Sequence, residues 1–262
     1  MRSKEGFQSH WLEIDAERMA RYETMFRWDP KSAHLFAAAR IESGQVIADF
    51  GCGPGDTAIE FARQVGAQGH LHALDINRKF LAITDAKARA AGLQERVTTH
   101  LLTSSTLPLA DGSVDRVIAR DVIVYVDDPA ATWREFHRVL RPGRLAHVIE
   151  GDWQMLTIEP VDGNDWRKVI QAAAAWPHPT IGRQLHAQAR RAGFQDIAVE
   201  VLTQPDLDGR LMGVIQNILK YAQTAETLEP EVLDRVTCTI DAALSDRTYL
   251  AIAPKFVVTA AR

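Results

Sequence analysis

Three glycines at alternating positions are the residues of this 262-residue sequence whose spacing points most clearly to ligand binding. Gly51, Gly53 and Gly55 follow an apolar run that ends in Asp49, and a helical pattern begins directly after Gly55. Glycine permits positive φ and lets a ligand approach the backbone without meeting a Cβ. Because the N–H groups and the dipole of a helix N-terminus favour negative charge, the stretch predicts a site for a carboxylate or a phosphate.

A second acid lies at the spacing expected for a group that holds a ribose. The stretch from His70 to Ile76 is predicted to be the next strand, and its last acid, Asp75, lies 20 residues after Gly55. A carboxylate at the end of this strand can accept a hydrogen bond from both ribose hydroxyls. The alternative is that Asp75 caps the helical pattern that starts at Asn77, and the two roles are compatible.

The spacing of the glycines separates two classes of cofactor. The dinucleotide fingerprint is G-x-G-x-x-G, whereas here the third glycine comes one residue earlier and Asp49 precedes the first glycine by two. These residues resemble the first motif of the class I S-adenosylmethionine (SAM) methyltransferases, D/E-x-G-x-G-x-G, a family that includes the type 11 and menaquinone-ubiquinone C-methyltransferase groups. The resemblance implies S-adenosyl-L-methionine as the cofactor.

Later segments extend the resemblance over residues 45–150. The segment from Thr103 to Asp115 is similar to the family's GDA-x-x-LPF-x-DGSFD. Thr103 stands where the family has the acid that contacts the adenine amine, so the resemblance implies an uncharged or backbone-made contact at that point. Two further segments, Asp127-Asp-Pro129 and Arg134-Glu-Phe-His-Arg-Val-Leu-Arg-Pro-Gly143, are similar to the family's dP and rEl.RvLkPGG motifs.

The resemblance also implies a set of cofactor contacts along the carboxyl ends of the strands. They are Asp49, Gly51, Gly53, Gly55, Asp75, Ile76, Thr103, Ser104 and Arg120. Within this set, Arg120 is hypothesised to pair with the methionyl carboxylate of the cofactor.

Methyl transfer from a sulfonium mainly requires that the nucleophile be held near the methyl carbon, and one acid–base group suffices if the nucleophile loses a proton. Polar candidates lie where the fourth and fifth strands are predicted to end: Arg120, Asp121, Tyr125, Glu150 and Asp152. We take as catalytic candidates Glu150, Asp152 and His178, which lies in a loop between two prolines. Alternatively, Glu150 and Asp152 cap the segment that follows, and Tyr125 packs under the rim of the sheet.

Alternating predicted strands and helices indicate an α/β fold with a doubly wound parallel sheet. The resemblance implies a Rossmann-like sheet of seven strands, six parallel and the last antiparallel beside the fifth, with helical cap insertions. We expect a single methyltransferase domain. Its parts are N-terminal helices or lid (1–44), a SAM-binding core (45–150), two cap insertions (151–182 and 205–248), and a closing helix with strands (183–204 and 249–262).

Two regions outside the core leave alternatives open. Residues 9–40 have a helical pattern broken at Asp29-Pro30, and they either pack on the edge of the sheet or close over the cofactor. The second insertion carries two amphipathic patterns, 211–221 and 232–244. These either pad the fold, pair with another subunit in a homodimer, or form a second wall of a substrate pocket.

The charge and composition of the sequence predict which kinds of partner the protein binds and where in the cell it is located. A net charge of −4, a pI near 6.1 and dispersed basic residues argue against a nucleic-acid partner. We expect no membrane association and no signal peptide, because no apolar stretch has the required length. Two cysteines give no disulfide framework, so a cytoplasmic location is expected. His70 and His72 lie at the amino end of their strand, so they are interpreted as structural, and no metal site is expected.

The sequence therefore predicts a SAM-dependent methyltransferase that acts on an oxygen, nitrogen or carbon atom of a small, largely apolar metabolite. One alternative is a SAM-binding protein of the same fold without transfer activity, serving as a regulator or a cyclase. A less favoured alternative is an NAD(P)-dependent oxidoreductase, which would need G-x-G-x-x-G and a catalytic Tyr/Lys set that we do not find in the sequence.

Overall fold

The computed structural model describes residues 11–262, and its centre is a sheet of seven strands. Two further strands lie outside this sheet, so that the described residues form nine strands in all. They are β1 (Val46–Phe50), β2 (His70–Asp75), β3 (Val97–Leu101), β4 (Val114–Arg120), β5 (Leu140–Gly151), β6 (Thr157–Glu159), β7 (Gln195–Leu202), β8 (Leu250–Ile252) and β9 (Lys255–Ala261). Their order in the main sheet is β3-β2-β1-β4-β5-β9-β7, and β6 pairs with β8 in a separate ladder. Strand β9 is antiparallel to both β5 and β7, and the other six are parallel. The predicted sheet is therefore confirmed.

Helices cover both faces of this sheet and form most of the two insertions. The α-helices are α1 (Ala16–Met25), α2 (Asp56–Gln64), α3 (Arg78–Ala90), α4 (Pro129–Val139), α5 (Gly163–Ala173), α6 (Ile181–Arg191), α7 (Met212–Gln223) and α8 (Pro230–Asp246). Three 3-10 segments span Pro30–Ala39, Ile123–Tyr125 and Trp153–Met155. Among residues 11–262, no helix combines the length and the apolar character needed to cross a membrane.

Local capping explains where the core helices begin. Helix α3 follows Asn77, whose side chain accepts from the backbone N–H groups of Lys79 and Phe80 at 2.8 and 3.1 Å. Helix α4 follows Asp128, which accepts from Ala131 at 3.0 Å, and it begins with a proline that lacks the N–H a first-turn residue would leave unpaired. These caps fix where α3 begins after β2 and where α4 begins after the 3-10 segment that follows β4.

The fifth strand begins earlier in the structure than the sequence indicates. The sequence pattern predicts this strand over Leu145 to Glu150, but pairing begins at Leu140 opposite Val114, with a register shift before the ladder resumes at Leu145. Gly143, at φ 73°, absorbs this irregularity. The segment after Asp29-Pro30 is a 3-10 helix, so the predicted break is confirmed; residues 9 and 10 of the predicted N-terminal pattern lie outside the described residues.

Alternation along the strands separates two apolar cores, one on each face of the sheet. In β1, Ile47 joins the core formed with α2 and α3, whereas Ala48 joins the core formed with α4 and α6. A third core lies between the insertions and is formed by α5, α7, α8, β6 and β8. The apolar faces of α7 and α8 are therefore covered within the chain. The body of the second insertion also extends past residue 248, because β8 pairs with β6.

Candidate functional site

The glycine turn after β1 is confirmed as a left-handed backbone with φ of 73°, 54° and 84° at Gly51, Gly53 and Gly55. A Cβ added to Gly51 would overlap Val122, and one added to Gly55 would overlap Thr84. At Gly53 the nearest atom to an added Cβ is a ring carbon of Phe26 at 3.8 Å. Two of the glycines are thus required by packing, and of the three only Gly53 could carry a Cβ without overlapping a neighbouring side chain.

Asp75 ties the end of β2 to this turn. Its carboxylate is buried and accepts the backbone N–H of Gly53 at 2.9 Å and that of Asn77 at 2.8 Å. The helix cap is the side chain of Asn77, so the alternative that Asp75 itself caps α3 is wrong. An ionised carboxylate has about four acceptor positions, so it can still accept from a ribose hydroxyl.

Asp49 is a buried acid whose Oδ2 has no hydrogen-bond partner among the described residues. The positive charge of Arg120 and the negative charge of Asp75 both act on its carboxylate. Burial raises the pKa of Asp49 to about 7, and the guanidinium of Arg120 offsets only part of that rise. A buried polar atom without a partner is rare and is explained when a ligand supplies the donor. An ammonium group beside the glycine turn would fit this atom.

The loop after β3 holds the residues predicted to meet the adenine. Thr103 and Ser104 are exposed, and Ile76 is half-buried at the end of β2. The Ser104 hydroxyl exchanges hydrogen bonds with the backbone of Thr106 at 3.3 Å, so it is engaged within its own loop. The N–H of Leu102 donates to the Asp75 carbonyl at 2.9 Å, which fixes the start of this loop against β2.

The N-terminal segment covers the glycine turn. Phe26 lies over Gly53, and Tyr22 stacks on Phe26 with ring centroids 5.6 Å apart. The amide of Asn77 donates to the Trp11 carbonyl, and Lys79 Nζ donates to the Ile14 carbonyl at 2.8 Å. Residues 11–26 therefore contact both the turn and the start of α3.

Glu150 is fully buried and already bound. Its Oε1 accepts the backbone N–H groups of Val122 at 2.8 Å, of Ile123, and of Val124 at 3.4 Å, whereas Oε2 has no hydrogen-bond partner in the described part of the chain. Burial, reinforced by the nearby charge of Asp121, raises the pKa of Glu150 to about 8. The residue holds the turn after β4, which is a structural role that the sequence did not indicate.

Asp152 is also buried, and it pairs with Arg183 of α6 through both carboxylate oxygens. Its side chain does not cap the 3-10 segment that follows it. The alternative that Glu150 and Asp152 cap the segment after β5 is therefore wrong, because one holds the turn after β4 and the other holds α6.

Aromatic side chains line the same end of the sheet. Trp153 and Trp176, both from the first insertion, stack with centroids 4.5 Å apart and planes 4° apart. Trp176 donates its indole N–H to the Tyr125 hydroxyl at 3.2 Å, and Tyr125 meets Trp11 edge-on at 5.0 Å. His178 lies nearby, with Nε2 2.8 Å from the Val126 carbonyl oxygen. This aromatic row, formed by Trp153, Trp176, Tyr125 and Trp11, connects the first insertion to the N-terminal segment.

The structure adds a pair that sequence reasoning did not bring together. Lys255, the first residue of β9, places Nζ 2.7 and 2.6 Å from the two carboxylate oxygens of Asp121. Asp121 directly follows β4 and has φ 54°, which is uncommon for a residue with a Cβ. Asp121 was considered from its position after β4, but no local signal indicates a partner 134 residues away.

A doubly wound sheet with a glycine turn and unsatisfied acids at the carboxyl ends of its strands defines an α/β protein of the nucleotide-cofactor-binding class. A methyltransferase-domain family model matches residues 47–143. Methyltransferase GfsG of Streptomyces halstedii is 35% identical over 113 residues, covering 43% of this chain and 40% of that protein. A demethylmenaquinone methyltransferase of Lactobacillus johnsonii is 32% identical over 116 residues, covering 44% and 48%.

The fold agrees with these matches. Phosphoethanolamine N-methyltransferase 2 of Haemonchus contortus, solved with S-adenosylhomocysteine, aligns with a TM-score of 0.66 at 18% identity, over 100% of this chain and 60% of that one. Over residues 47–143 the chain matches the methyltransferase-domain family, in agreement with its motifs. It spans about half the length of the curated relatives described above.

Proposed function

We propose that the protein transfers the methyl group of SAM to a small, largely apolar molecule bound at the carboxyl end of the sheet. The observation that carries this proposal is the buried carboxylate of Asp49, which has no partner at Oδ2 among the described residues and lies beside a glycine turn that Asp75 binds at Gly53. The two acids and the turn offer partners for the three polar parts of SAM, namely its ammonium, its ribose and its carboxylate.

In this proposal each group of the chain has a distinct role. Asp49 accepts from the ammonium, and Asp75 accepts from the ribose hydroxyls. The carboxylate is held by the turn and the N-terminus of α2, with Arg120 close by. Thr103 and Ser104 border the adenine, and Ile76 provides apolar contact. When bound, SAM supplies an electrophilic methyl group on a positively charged sulfur, and the protein contributes mainly by positioning the nucleophile.

The acceptor is assigned from the surfaces around Tyr125. Rigid aromatic side chains give a pocket large apolar area with few rotamers to immobilise, and Trp153 and Trp176 provide such a surface. The insertions carry their own core, so they form a body that can act as a cap. We assign residues 11–26 as a lid over the cofactor, since Phe26 lies over Gly53. The half-buried His178 stays a candidate acid–base group.

We also propose where the protein is located and which kind of partner it binds. We place the protein in the cytoplasm, where its free thiols Cys52 and Cys238 would stay reduced. The acceptor is proposed to be a small molecule rather than a nucleic acid, given the net charge of −4. A homodimer through α7 and α8 is not proposed, because their apolar faces already pack in the third core.

Calorimetric titration with SAM, with S-adenosylhomocysteine (SAH) and with NADH tests the cofactor. We expect the first two to bind and the last to give no heat. A panel of phenols, naphthols, quinols, amines and carboxylic acids, incubated with methyl-labelled SAM, then tests transfer. Conversion of a panel member without label incorporation or SAH release would favour a cyclase of the same fold, and NADH binding in place of SAM would overturn the proposal.

A further inference from the structure

We propose that the ion pair Asp121–Lys255 forms the charged floor of the acceptor site, with the Asp121 carboxylate facing the sulfonium of bound SAM. The inference rests on the proposed function and deepens it. It assigns an acceptor whose nucleophilic atom carries a hydrogen, as in a hydroxyl or an amine, because a carboxylate can accept that hydrogen.

Asp121 lies at the edge of the sheet where the glycine turn is found. Asp121 directly follows β4, and the next residue, Val122, packs so closely on Gly51 that any Cβ there would overlap it. The carboxylate therefore stands one residue from the glycine turn, at the carboxyl edge where ligands of open α/β sheets bind. Tyr125 and the aromatic row begin within the same turn.

The backbone and the carboxylate of Asp121 are both held in place by neighbouring residues. Asp121 keeps a left-handed backbone, and such strain persists only where the surroundings enforce it. Here the enforcement is visible: Glu150 accepts the N–H groups of three successive residues directly after Asp121. From the other side, Lys255 binds both carboxylate oxygens. The acid is thus fixed in orientation by two strands that are distant in sequence.

Asp121 and Lys255 are accessible to a ligand. The side chains of Asp121 and Lys255 are 31% and 37% exposed, whereas Glu150 and Asp152 are buried. Of these three acids, Asp121 is therefore the one that a ligand can reach. During transfer the acceptor's X–H bond breaks and a bond from X to the methyl carbon forms. The C–S bond pair returns to sulfur, giving SAH, and the proton passes to the Asp121 carboxylate.

The test uses charge, because SAM is a cation at sulfur and SAH is neutral there. Calorimetry would measure the dissociation constants of SAM and SAH for the wild type, Asp121→Asn and Lys255→Met. Asn tolerates a left-handed backbone, so the first change removes charge with little strain. We expect Asp121→Asn to lower the preference for SAM over SAH about three- to tenfold, and Lys255→Met to raise it by a similar factor.

A matched control is Arg235→Met, which breaks an exposed ion pair with Asp165 inside the cap and should leave the ratio unchanged. An unchanged ratio in both site variants would overturn the assignment while leaving SAM binding intact. Failure of the wild type to bind either ligand would instead remove the proposed function and this inference with it. With a hydroxyl or amine acceptor from the panel, an unchanged kcat in Asp121→Asn would also overturn it.

Discussion

The carboxylate of Asp75 accepts the backbone N–H of Gly53 at 2.9 Å, so the acid that ends the second strand also shapes the turn that follows the first. The two residues are 22 positions apart in sequence. The ribose site and the methionyl site of a bound cofactor would therefore be coupled, because one side chain helps to build both.

Replacing Asp75 should weaken SAM binding strongly. Hydrogen bonds to charged groups are worth roughly 1.5–3 kcal/mol, so Asp75→Ala should raise the dissociation constant about tenfold or more. Asp75→Asn keeps the shape and one acceptor oxygen, and it should have an intermediate effect. Calorimetric titration measures both variants, with Asp111→Asn, an exposed acid paired with Arg138, as the control. Wild-type affinity in Asp75→Ala would exclude this residue from the site.

The three glycines of the turn should respond differently to alanine. Gly51→Ala and Gly55→Ala place a methyl group into Val122 and Thr84, so we expect unfolding free energies lower by about 2 kcal/mol or more. Gly53→Ala adds backbone strain of roughly 1–2 kcal/mol but meets only Phe26. Its main effect should be on SAM affinity. Thermal denaturation and titration of the three variants would separate these outcomes; equal SAM affinity in Gly53→Ala and the wild type would place the ligand elsewhere.

Asp49 should make the ligand-free protein less stable as pH rises. Its pKa is raised from 3.8 to about 7 in the folded chain, so between these values the folded state binds more protons than the unfolded state. The unfolding free energy must then fall as pH rises through this window, by at most about 4 kcal/mol. Above pH 7 the contribution is constant.

Urea denaturation at pH 5, 6, 7 and 8 measures this dependence. Asp49→Asn should flatten the curve and make the variant more stable than the wild type at pH 8. Glu150, whose pKa is about 8, contributes equally to both proteins and cancels in the comparison. Parallel curves would show that Asp49 titrates normally. The same variant should bind SAM more weakly, since the acceptor for the ammonium has lost its charge.

Thr103 tests how the adenine is recognised. If its exposed hydroxyl replaces the usual acid, Thr103→Asp should keep or improve SAM affinity, and Thr103→Val should reduce it modestly. Titration of the two variants against the wild type provides the measurement. Equal affinities in all three would mean that the backbone of the loop after β3 alone contacts the base.

The cap should exchange amide hydrogens as one unit. Because the insertions share a core that is separate from the sheet, we expect 152–182 and 205–248 to be more labile than residues 45–150. Both should slow together when SAH and an acceptor bind. Hydrogen-exchange mass spectrometry resolves these segments. Protection equal to that of the central strands, with no response to ligand, would show that the insertions do not act as a cap.

The parts of the site that depend on local sequence were predictable, and the parts that depend on tertiary packing were not. The turn from Gly51 to Gly55 was predicted because glycine spacing constrains the backbone directly. The contact between Glu150 and the backbone after Asp121 has no such signal, since any buried acceptor at that place would serve. Lys255 was missed for the same reason, because its relation to Asp121 exists only once β9 inserts between β5 and β7.

The separate core of the two insertions has a consequence for how such a chain can diversify. The first insertion leaves the sheet after β5 and leads through α6 into β7, and the second leaves after β7 and leads through β8 into β9. Most of their apolar residues pack on one another, with Trp176 as a bridge to the sheet. A mutation in α7 or α8 would therefore be compensated within α5, β6 or β8, without disturbing the glycine turn. Exchanging the insertions together between relatives would preserve folding, whereas exchanging either one alone would leave half of an apolar interface unmatched.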